Sequence, residues 1–335
     1  MPKVGLISSC TPEFWLRYFP DRSPYWNGIE FELSGDVNDC DLIVAFNEIP
    51  EDQSGKIKAT TSIFLASEPP SIKTYNERFL SQFDVVYGVD QSSRHKNLIV
   101  GHVPTLWHIG LWDEQGVPLK KMWDYSDFEQ FQPTKKKSIS IITSNKAYTT
   151  GHRQRIEFAE KIKNYFGDEV DLFGRGRNNF GDKLQVIPEY RYHIAIENSS
   201  YFDYWTEKLS DTYLSMTLPI YCGCPNIGEY FSDKQIITIN PRDLEGSLKS
   251  IKTALESDRA EISVDAIRAA RTKVLSEYNV INLISKICNN VTLTKYAKSK
   301  TLFSEVSFER RYSQVRNGAK ALWHAAKLHR SRSNS

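Results

Sequence analysis

The feature that most constrains the fold of this 335-residue chain is the alternation of short, apolar, β-rich runs with segments of helical period. This alternation is typical of α/β domains, because each parallel strand needs a crossover, usually a helix, before the next one. The pattern runs in two series, separated by residues 113–137, which are rich in Gln, Lys, Asp and Pro and lack a clear period. We therefore expect two α/β domains over residues 1–130 and 131–300, followed by a tail over residues 301–335.

The spacing of apolar residues predicts the individual elements. In the first series it predicts a helix over residues 72–83, with Ile72, Tyr75, Phe79 and Phe83 on one face. The predicted strands there are residues 3–9, 41–47, 62–67 and 84–89. In the second series the strands are 138–143, 170–173, 192–196, 218–221 and 235–239, and the helices are 153–166, 207–216, 244–256 and one long helix from 264 to about 289.

The net charge of +2 hides an asymmetry along the chain. Residues 306–335 carry seven Lys/Arg against one acid, Glu309, while the rest has a net charge of −4. A mildly acidic body does not suggest a protein that coats nucleic acid, and the basic tail suggests an electrostatic partner of its own. Five cysteines are too few for a disulfide framework and favour a reducing compartment. With neither a signal peptide nor an 18-residue apolar run, we expect a cytoplasmic location.

The most informative segment is residues 192–223, YHIAIENSSYFDYWTEKLSDTYLSMTLPIYCG. A buried strand delivers the polar residues 197–199 to its carboxyl end, and a helix then opens with Glu207 and Lys208 in its first turn. A lysine in that turn opposes the helix dipole, so something must compensate for it. A bound pyrophosphate would do so, because free N–H groups and a cation together form an anion site. The alternative is that Lys208 projects into solvent.

This segment closely resembles the signature of glycosyltransferase family 10, the alpha-1,3-fucosyltransferases. In that family a strand ending in Phe/Ile-Glu-Asn-Ser is followed by Tyr-Val-Thr-Glu-Lys and then by a Pro-Ile/Val-Tyr strand. The matching residues here are Glu197-Asn198-Ser199, Tyr204-Trp205-Thr206-Glu207-Lys208, and Pro219-Ile220-Tyr221 with Gly223. One residue departs from the pattern, since Trp205 stands where Val is usual. The resemblance covers the second domain well and the first domain only loosely.

The resemblance implies GT-B architecture, with two Rossmann-like domains facing a cleft and, in this chain, a C-terminal helical tail. It also implies an inverting transfer of fucose from GDP-fucose, a nucleotide-sugar donor, to a glycan acceptor, without a cofactor or a required metal. Cations would take the place of a metal, because the departing nucleoside diphosphate develops negative charge. The one Asp-x-Asp sequence, Asp39-Cys40-Asp41, precedes its strand and is interpreted as polarity at a strand start.

Carried over residue by residue, the resemblance assigns the donor site. Lys208 is expected to contact the donor phosphates and Glu207 the ribose hydroxyls. Asn198 and Tyr204 are expected to lie beside the donor.

A family arginine that contacts the diphosphate begins the first helix of this domain. Arg153 and Arg155 are both candidates here, and the following apolar spacing favours Arg155. Arg175 and Arg177 follow a later strand and are either donor contacts or part of a solvated loop.

The predicted acceptor side is in the first domain, where the strand TSIFLAS runs into Glu68-Pro69-Pro70-Ser71. A carboxylate at the end of a parallel strand, beside the cleft, is well placed to take a proton from an acceptor hydroxyl. The family assigns a glutamate in a similar context to that role, which makes Glu68 the candidate catalytic base. The alternative is an acid at the entry of a helix, favoured by the helix dipole.

Residues 307–332 form a basic amphipathic pattern, with Phe308 and Leu322 on its apolar stripe and Trp323 near its boundary. Such a helix suits an anionic membrane surface, which would make the protein peripheral on the inner face of the membrane. The alternative is a helix docked on the protein's own body. Assembly of a surface glycan such as lipopolysaccharide O-antigen would explain a membrane-proximal enzyme.

Two other functions remain open from the sequence. One is a GT-B glycosyltransferase that uses another nucleotide-sugar donor, because donor identity depends on the shape of the pocket. The other is a non-catalytic protein that binds a glycan or a nucleotide. The joint presence of Glu68, Arg155 and Lys208 argues against the second, since a binding module has no need of a general base.

Overall fold

The computed structural model describes residues 1–143, 150–174, 178–291 and 299–308, with only the backbone for residues 150–154. Two parallel sheets account for most of its strands, as the alternating pattern predicts. No helix within these ranges is long and apolar enough to span a lipid bilayer.

The first half of the molecule has eight strands, namely β1 (Lys3–Ile7), β2 (Tyr25–Trp26), β3 (Ile29–Glu32), β4 (Leu42–Phe46), β5 (Ile57–Ala59), β6 (Ser62–Leu65), β7 (Val85–Gly88) and β8 (Leu98–Val100). Seven of them form one sheet in the order β2-β3-β1-β4-β6-β7-β8, parallel except for the β2–β3 pair, and β5 lies outside it. All four predicted strands are present, and the other four were missed because their runs are too short or too polar to stand out. The helices of this half are α1 (Pro12–Leu16), α2 (Glu77–Leu80) and α3 (Tyr125–Gln130).

The helix predicted over residues 72–83 is wrong in length, because only α2 is helical. Asn76 has an extended backbone and its side chain accepts the Arg78 N–H at 2.9 Å, so the helix begins there. Tyr75, Phe79 and Phe83 do pack around Phe64. Ile72, assigned to the same face, is 45% exposed.

The segment interpreted as an irregular connection, residues 113–137, contains the helix α3. Asp124 caps it, and the side chain of Asp127 returns a bond to the Asp124 N–H. Phe128 is fully buried. The polar composition concealed one apolar anchor and a capping box, a combination that starts a helix even in a short segment.

The second sheet has five parallel strands in the order β10-β9-β11-β12-β13. Each coincides with a predicted strand. They are β9 (Lys137–Ile142), β10 (Val170–Phe173), β11 (Tyr190–Ile196), β12 (Leu218–Cys222) and β13 (Ile237–Thr238). The helices are α4 (Thr150–Phe166), α5 (Glu207–Leu214), α6 (Leu244–Glu256), α7 (Arg259–Ile262), α8 (Val264–Leu275) and α9 (Val280–Asn290).

The single long helix predicted from residue 264 to about 289 is two helices, α8 and α9. The fully buried Asn279 separates them, because its amide donates to the Tyr18 carbonyl at 2.8 Å and its oxygen accepts the Ile281 N–H at 2.9 Å. In α9, Asn282 accepts hydrogen bonds from Trp26 and Asn27 of the first half. The helical pattern is thus interrupted at Asn279, and this part of the chain packs against the first half of the molecule.

The last described segment, residues 299–308, also lies on the first half of the molecule. Its strand β14 (Lys300–Leu302) pairs antiparallel with β5. Leu302 is fully buried, and Phe308 contacts Phe79 at 6.2 Å between ring centroids. Phe308 therefore packs on the protein's own body, which corrects its assignment to the lipid-facing stripe. Residues 309–332 of that pattern lie outside the described residues.

Candidate active site

The motif at the end of β11 forms a compact cluster of charges. Glu197 is 6% exposed and accepts the Thr206 N–H at 2.8 Å and the Thr206 hydroxyl at 2.8 Å. The Lys208 ammonium lies 3.2 Å from Glu197 and 3.1 Å from Glu207. The strand and the start of α5 are thereby tied together by side chains of the motif itself.

The local sequence explains why α5 begins where it does. Thr206 is its N-cap, with an extended backbone and a hydroxyl that accepts from the Lys208 N–H at 3.4 Å. This places Glu207 and Lys208 in the first turn, as predicted. In this structure the carboxylates of Glu197 and Glu207 balance the lysine that opposes the helix dipole.

Electrostatics favour the ionised forms of Glu207 and Lys208. Burial raises the pKa of Glu207, but Lys208 and Lys183 outweigh that effect and hold its pKa well below the usual range. Burial lowers the pKa of Lys208, but Glu197 and Glu207 outweigh that effect and raise it. Burial is also the main cause that raises the pKa of Glu197, against the opposing influence of Lys208.

Arg155 reaches the same place from α4. Its guanidinium donates to the side-chain oxygen of Asn198, the residue after Glu197, and it is 8% exposed. Of the two arginine candidates, Arg155 is thus brought to the motif, while the side chain of Arg153 lies outside the described residues. Arg175 and Arg177 lie outside them as well.

These side chains border one cavity of about 300 Å³. It opens at the topological switch point of the second sheet, between the neighbouring strands β9 and β11. The chain passes from β9 to β10 on one side of β9 and then to β11 on its other side. Isoleucines of the sheet give it an apolar floor. Its polar lining is formed by Arg155, Lys183, His193, Asn198, Glu207 and Lys208.

Lys183 is the cation of this cavity that sequence reasoning missed. It lies 2.6 Å from Asp211, which is fully buried on α5 and also accepts the His108 N–H at 3.1 Å. Burial raises the pKa of Asp211 to about 6. Nothing in the sequence around Lys183 follows a motif, since only the fold brings residues 183 and 211 together.

Of the histidines near this site, His193 is buried, and burial lowers its pKa to about 3. His102 is partly buried, and burial lowers its pKa to about 4, while His108 is exposed. His193 bonds Ser140 at 2.8 Å while it borders the cavity.

Tyr204 is not among the residues that border the cavity. It is 3% exposed and packs with Val89 and Val103 of the first half. The next residue, Trp205, stacks on His102 with 4.2 Å between ring centroids, and its carbonyl accepts the Thr105 hydroxyl. The two residues before Thr206 are therefore an interdomain contact, and the tryptophan that replaces the usual valine fills it.

Glu68 lies across the cleft at the end of β6. It is half-buried, and its carboxylate has no hydrogen bond or ion pair with the described residues. Burial raises its pKa, and the nearby carboxylates of Glu207 and Glu197 raise it further. The two sides touch close by, because the hydroxyls of Ser71 and Ser199 are 2.9 Å apart. A carboxyl group with a raised pKa therefore lies close to the charged cluster of the second half, which makes Glu68 a candidate site residue.

Gly223 of the motif permits this close packing. A Cβ atom at that position would lie 2.4 Å from Cγ of Glu197. Any side chain there would displace the carboxylate that holds Thr206 and Lys208.

Comparisons with known proteins agree with the sequence resemblance. Residues 132–254 match the family model "Glycosyltransferase family 10 (fucosyltransferase) C-term". The Helicobacter pylori alpha-(1,3)-fucosyltransferase FucT is 30% identical over 89 residues, which are 24% of this chain and 19% of that protein. The chain spans less than half the length of the curated relatives it matches.

Two solved structures match most of this chain, and the first is similar in fold. Anabaena Alr3699/HepE in complex with UDP-glucose has a TM-score of 0.50 at 10% identity, with 86% of this chain and 99% of that chain covered. A crystal structure of alpha1,3-fucosyltransferase has a TM-score of 0.49 at 16% identity, with 87% and 91% covered. The architecture is GT-B, with two Rossmann-like units that face a cleft. Over residues 132–254 the chain is thus similar to the C-terminal domain of glycosyltransferase family 10.

Proposed function

We propose that this protein is an inverting glycosyltransferase that moves fucose from GDP-fucose to a hydroxyl of a surface glycan, such as lipopolysaccharide O-antigen. The observation that carries the proposal is the cavity shared by Arg155, Asn198, Glu207 and Lys208, with Glu68 facing it. The family match supports fucose as the transferred sugar.

On the donor side, Arg155, Lys208 and the first turn of α5 would meet the diphosphate. Charge grows on the leaving phosphate oxygen as the glycosidic bond breaks, and preorganised cations stabilise that charge without a metal. The carboxylate of Glu207, kept ionised by its lysine neighbours, would accept hydrogen bonds from the ribose hydroxyls. When the anion binds, Lys208 would share its charge between the phosphate and the two carboxylates.

On the acceptor side, Glu68 would take the proton of the attacking hydroxyl. A single displacement at the sugar carbon, with the base on the face opposite the leaving group, inverts that centre. A carboxylate with a raised pKa is the stronger base, and it needs no hydrogen bond to be broken before it acts.

A second hollow, of about 660 Å³, lies on the donor-side half of the molecule, and we propose that it holds part of the glycan acceptor while Glu68 faces the reacting hydroxyl. It adjoins the site through Ser200, whose hydroxyl donates to the Gly223 carbonyl at 2.8 Å. Its lining is rich in short hydroxyl and amide side chains, which suit the hydroxyls of a neutral sugar chain. These residues are Ser200, Thr238, Asn240, Ser247 and Ser250.

A donor screen tests the proposal and the nearest alternative, a GT-B enzyme with another nucleotide sugar. Thermal shift and slow hydrolysis would be measured with GDP-fucose, GDP-mannose and UDP-glucose, the ligand of the Anabaena structure. We expect stabilisation by both GDP-sugars and turnover with GDP-fucose. Stabilisation by UDP-glucose alone would exclude the fucose donor. Binding without hydrolysis or transfer to any glycan would favour a non-catalytic binding protein.

We propose the membrane contact for residues 309–332 of the pattern 307–332, on the basis of their sequence. Co-sedimentation of the full chain with anionic and neutral vesicles, at low and high salt, tests it. Binding only to anionic vesicles, lost at high salt, would support it. Equal co-sedimentation of the protein with anionic and neutral vesicles would rule out the proposed electrostatic membrane contact.

A further inference from the structure

The chain turns sharply directly after Glu68. The Pro69 carbonyl accepts the N–H groups of Ile72 and Lys73 at 2.9 and 3.1 Å. Lys73 lies at the end of this turn, and its charge opposes the effect of burial on the pKa of the Glu68 carboxyl. Lys73 is thus a cation within the loop that follows Glu68.

Three contacts with other residues hold the Lys73 ammonium in place. It lies 4.4 Å from the ring centroid of Tyr75, 3.5 Å from the Asn47 carbonyl and 3.7 Å from a carboxylate oxygen of Glu305. Glu305 also accepts the Asn76 N–H at 2.6 Å. A residue more than 200 positions away in sequence therefore binds two points of the loop that follows Glu68.

Glu305 is itself fixed, because it belongs to residues 299–308, which we call the C-terminal strap. Leu302 of the strap is fully buried. Gln82 bonds Phe303 twice, donating to its carbonyl at 2.9 Å and accepting its N–H at 2.8 Å. Lys300 lies 2.8 Å from Asp84. The strap is thus tied to the first half of the molecule over its whole length.

We propose that Lys73 is a positioning residue for Glu68 and that the C-terminal strap, through Glu305, holds it in place. This inference rests on the proposed role of Glu68 as the base. It gives the strap a function in the reaction, beyond closing the first core.

The charges around Glu68 define what Lys73 contributes. Glu207 and Glu197 face it from the second half and disfavour its ionised form, while Lys208 favours that form. Lys208 is already bound to the two donor-side carboxylates. Lys73 is the other cation that favours the ionised base, and its loss would leave a smaller fraction of Glu68 ionised at a given pH.

The test is the pH profile of kcat/KM, which reports the free enzyme. Lys73→Met should move the acidic limb to higher pH, and Lys73→Arg should restore it. At a pH on that limb we expect a loss of about two- to fivefold, the size reached by interactions between partly exposed charges. Glu305→Gln keeps an acceptor for the Asn76 N–H but removes the charge, and should move the limb in the same direction by less.

Two comparisons make the test specific. In the Lys73→Met background, Glu305→Gln should add nothing to the shift. Lys300→Gln breaks a strap contact that does not touch Lys73, and should leave the limb in place. A shift of equal size in Lys300→Gln would mean that the strap acts only through stability, and the proposal would fail.

The proposal is also overturned if Lys73→Met leaves the limb unchanged, or if Glu305→Gln moves it to lower pH. Glu68→Gln in the same assay separates this outcome from failure of the proposed function. If that variant is inactive while Lys73→Met has the wild-type profile, only the positioning role is lost. If Glu68→Gln remains active, the assignment of the base is wrong.

Discussion

The donor side and the acceptor side of the cleft are built in opposite ways. On the donor side, Glu197, Thr206, Glu207 and Lys208 lie within twelve residues of each other and bond one another directly. On the acceptor side, Glu68 has no such bond among the described residues, and the loop after it is held by the distant Glu305. A preorganised cluster suits the stabilisation of charge, while an unbonded carboxylate suits the transfer of a proton.

The first prediction removes Glu68, the proposed base on the acceptor side. Glu68→Gln keeps the shape and should lower transfer by about 10²- to 10⁴-fold, the usual contribution of a general base. GDP binding, measured by calorimetry, should stay close to wild type, because the donor contacts lie on the other side. Glu77→Gln, an exposed carboxylate on α2, is the matched control. Loss of GDP binding in Glu68→Gln would place this residue on the donor side instead.

The second prediction breaks the donor-side cluster. Lys208→Met should lower turnover by about 10²- to 10³-fold, the cost of one contact to a developing oxyanion. GDP affinity should fall as well, unlike in Glu68→Gln. Lys136→Met, which removes an exposed ion pair with Glu189, is the control.

The Lys208 substitution also leaves Glu197 buried without its cation, which is strongly destabilising. The double variant Glu197→Gln, Lys208→Met removes both charges and should recover stability without recovering turnover. Activity within about threefold of wild type in Lys208→Met would mean that the lysine takes no part in stabilising the leaving group.

The third prediction concerns the strap that supports the acceptor side. A chain ending after Thr301 loses the fully buried Leu302 and should be less stable by about 2–5 kcal/mol, the cost of emptying a leucine site. A chain ending after Phe308 keeps every described strap contact and should retain wild-type stability. Urea unfolding of both forms measures the difference. Equal stability would show that the strap is dispensable for the first core.

The same contrast explains what the sequence could reveal. The donor cluster is local, so the family signature and the helix rules located Glu197, Glu207 and Lys208 and the start of α5 together. Glu68 was found from its place at the end of a strand. The sequence did not predict the roles of Lys183, Lys73 and Glu305. Tertiary packing determines their partners, and no pattern of spacing along the chain indicates which residues they contact.

The fold divides in the same manner. Parallel strands with long apolar runs were predicted well, since a strand that is buried on both faces consists almost entirely of apolar residues. The errors fall where one polar residue decides the path. Asn76 delays α2, Asp124 starts α3, and Asn279 cuts one apolar helical pattern into α8 and α9. Each uses its side chain to bond backbone groups, which hydrophobic periodicity does not register.

The smallest expected effect is that of metal chelation. The donor side carries Arg155, Lys183 and Lys208 around one cavity, so the charge that a metal would supply is already present in side chains. Transfer in excess EDTA should therefore stay within about twofold of the untreated rate, since cationic side chains can meet the developing charge by themselves. The Lys208→Met variant sharpens the test, because added Mn²⁺ should not rescue it. Loss of wild-type activity in EDTA and its recovery with Mn²⁺ would show that a metal, and not these side chains, stabilises the negative charge on the leaving diphosphate. The difference between the two sides of the cleft would then need another explanation.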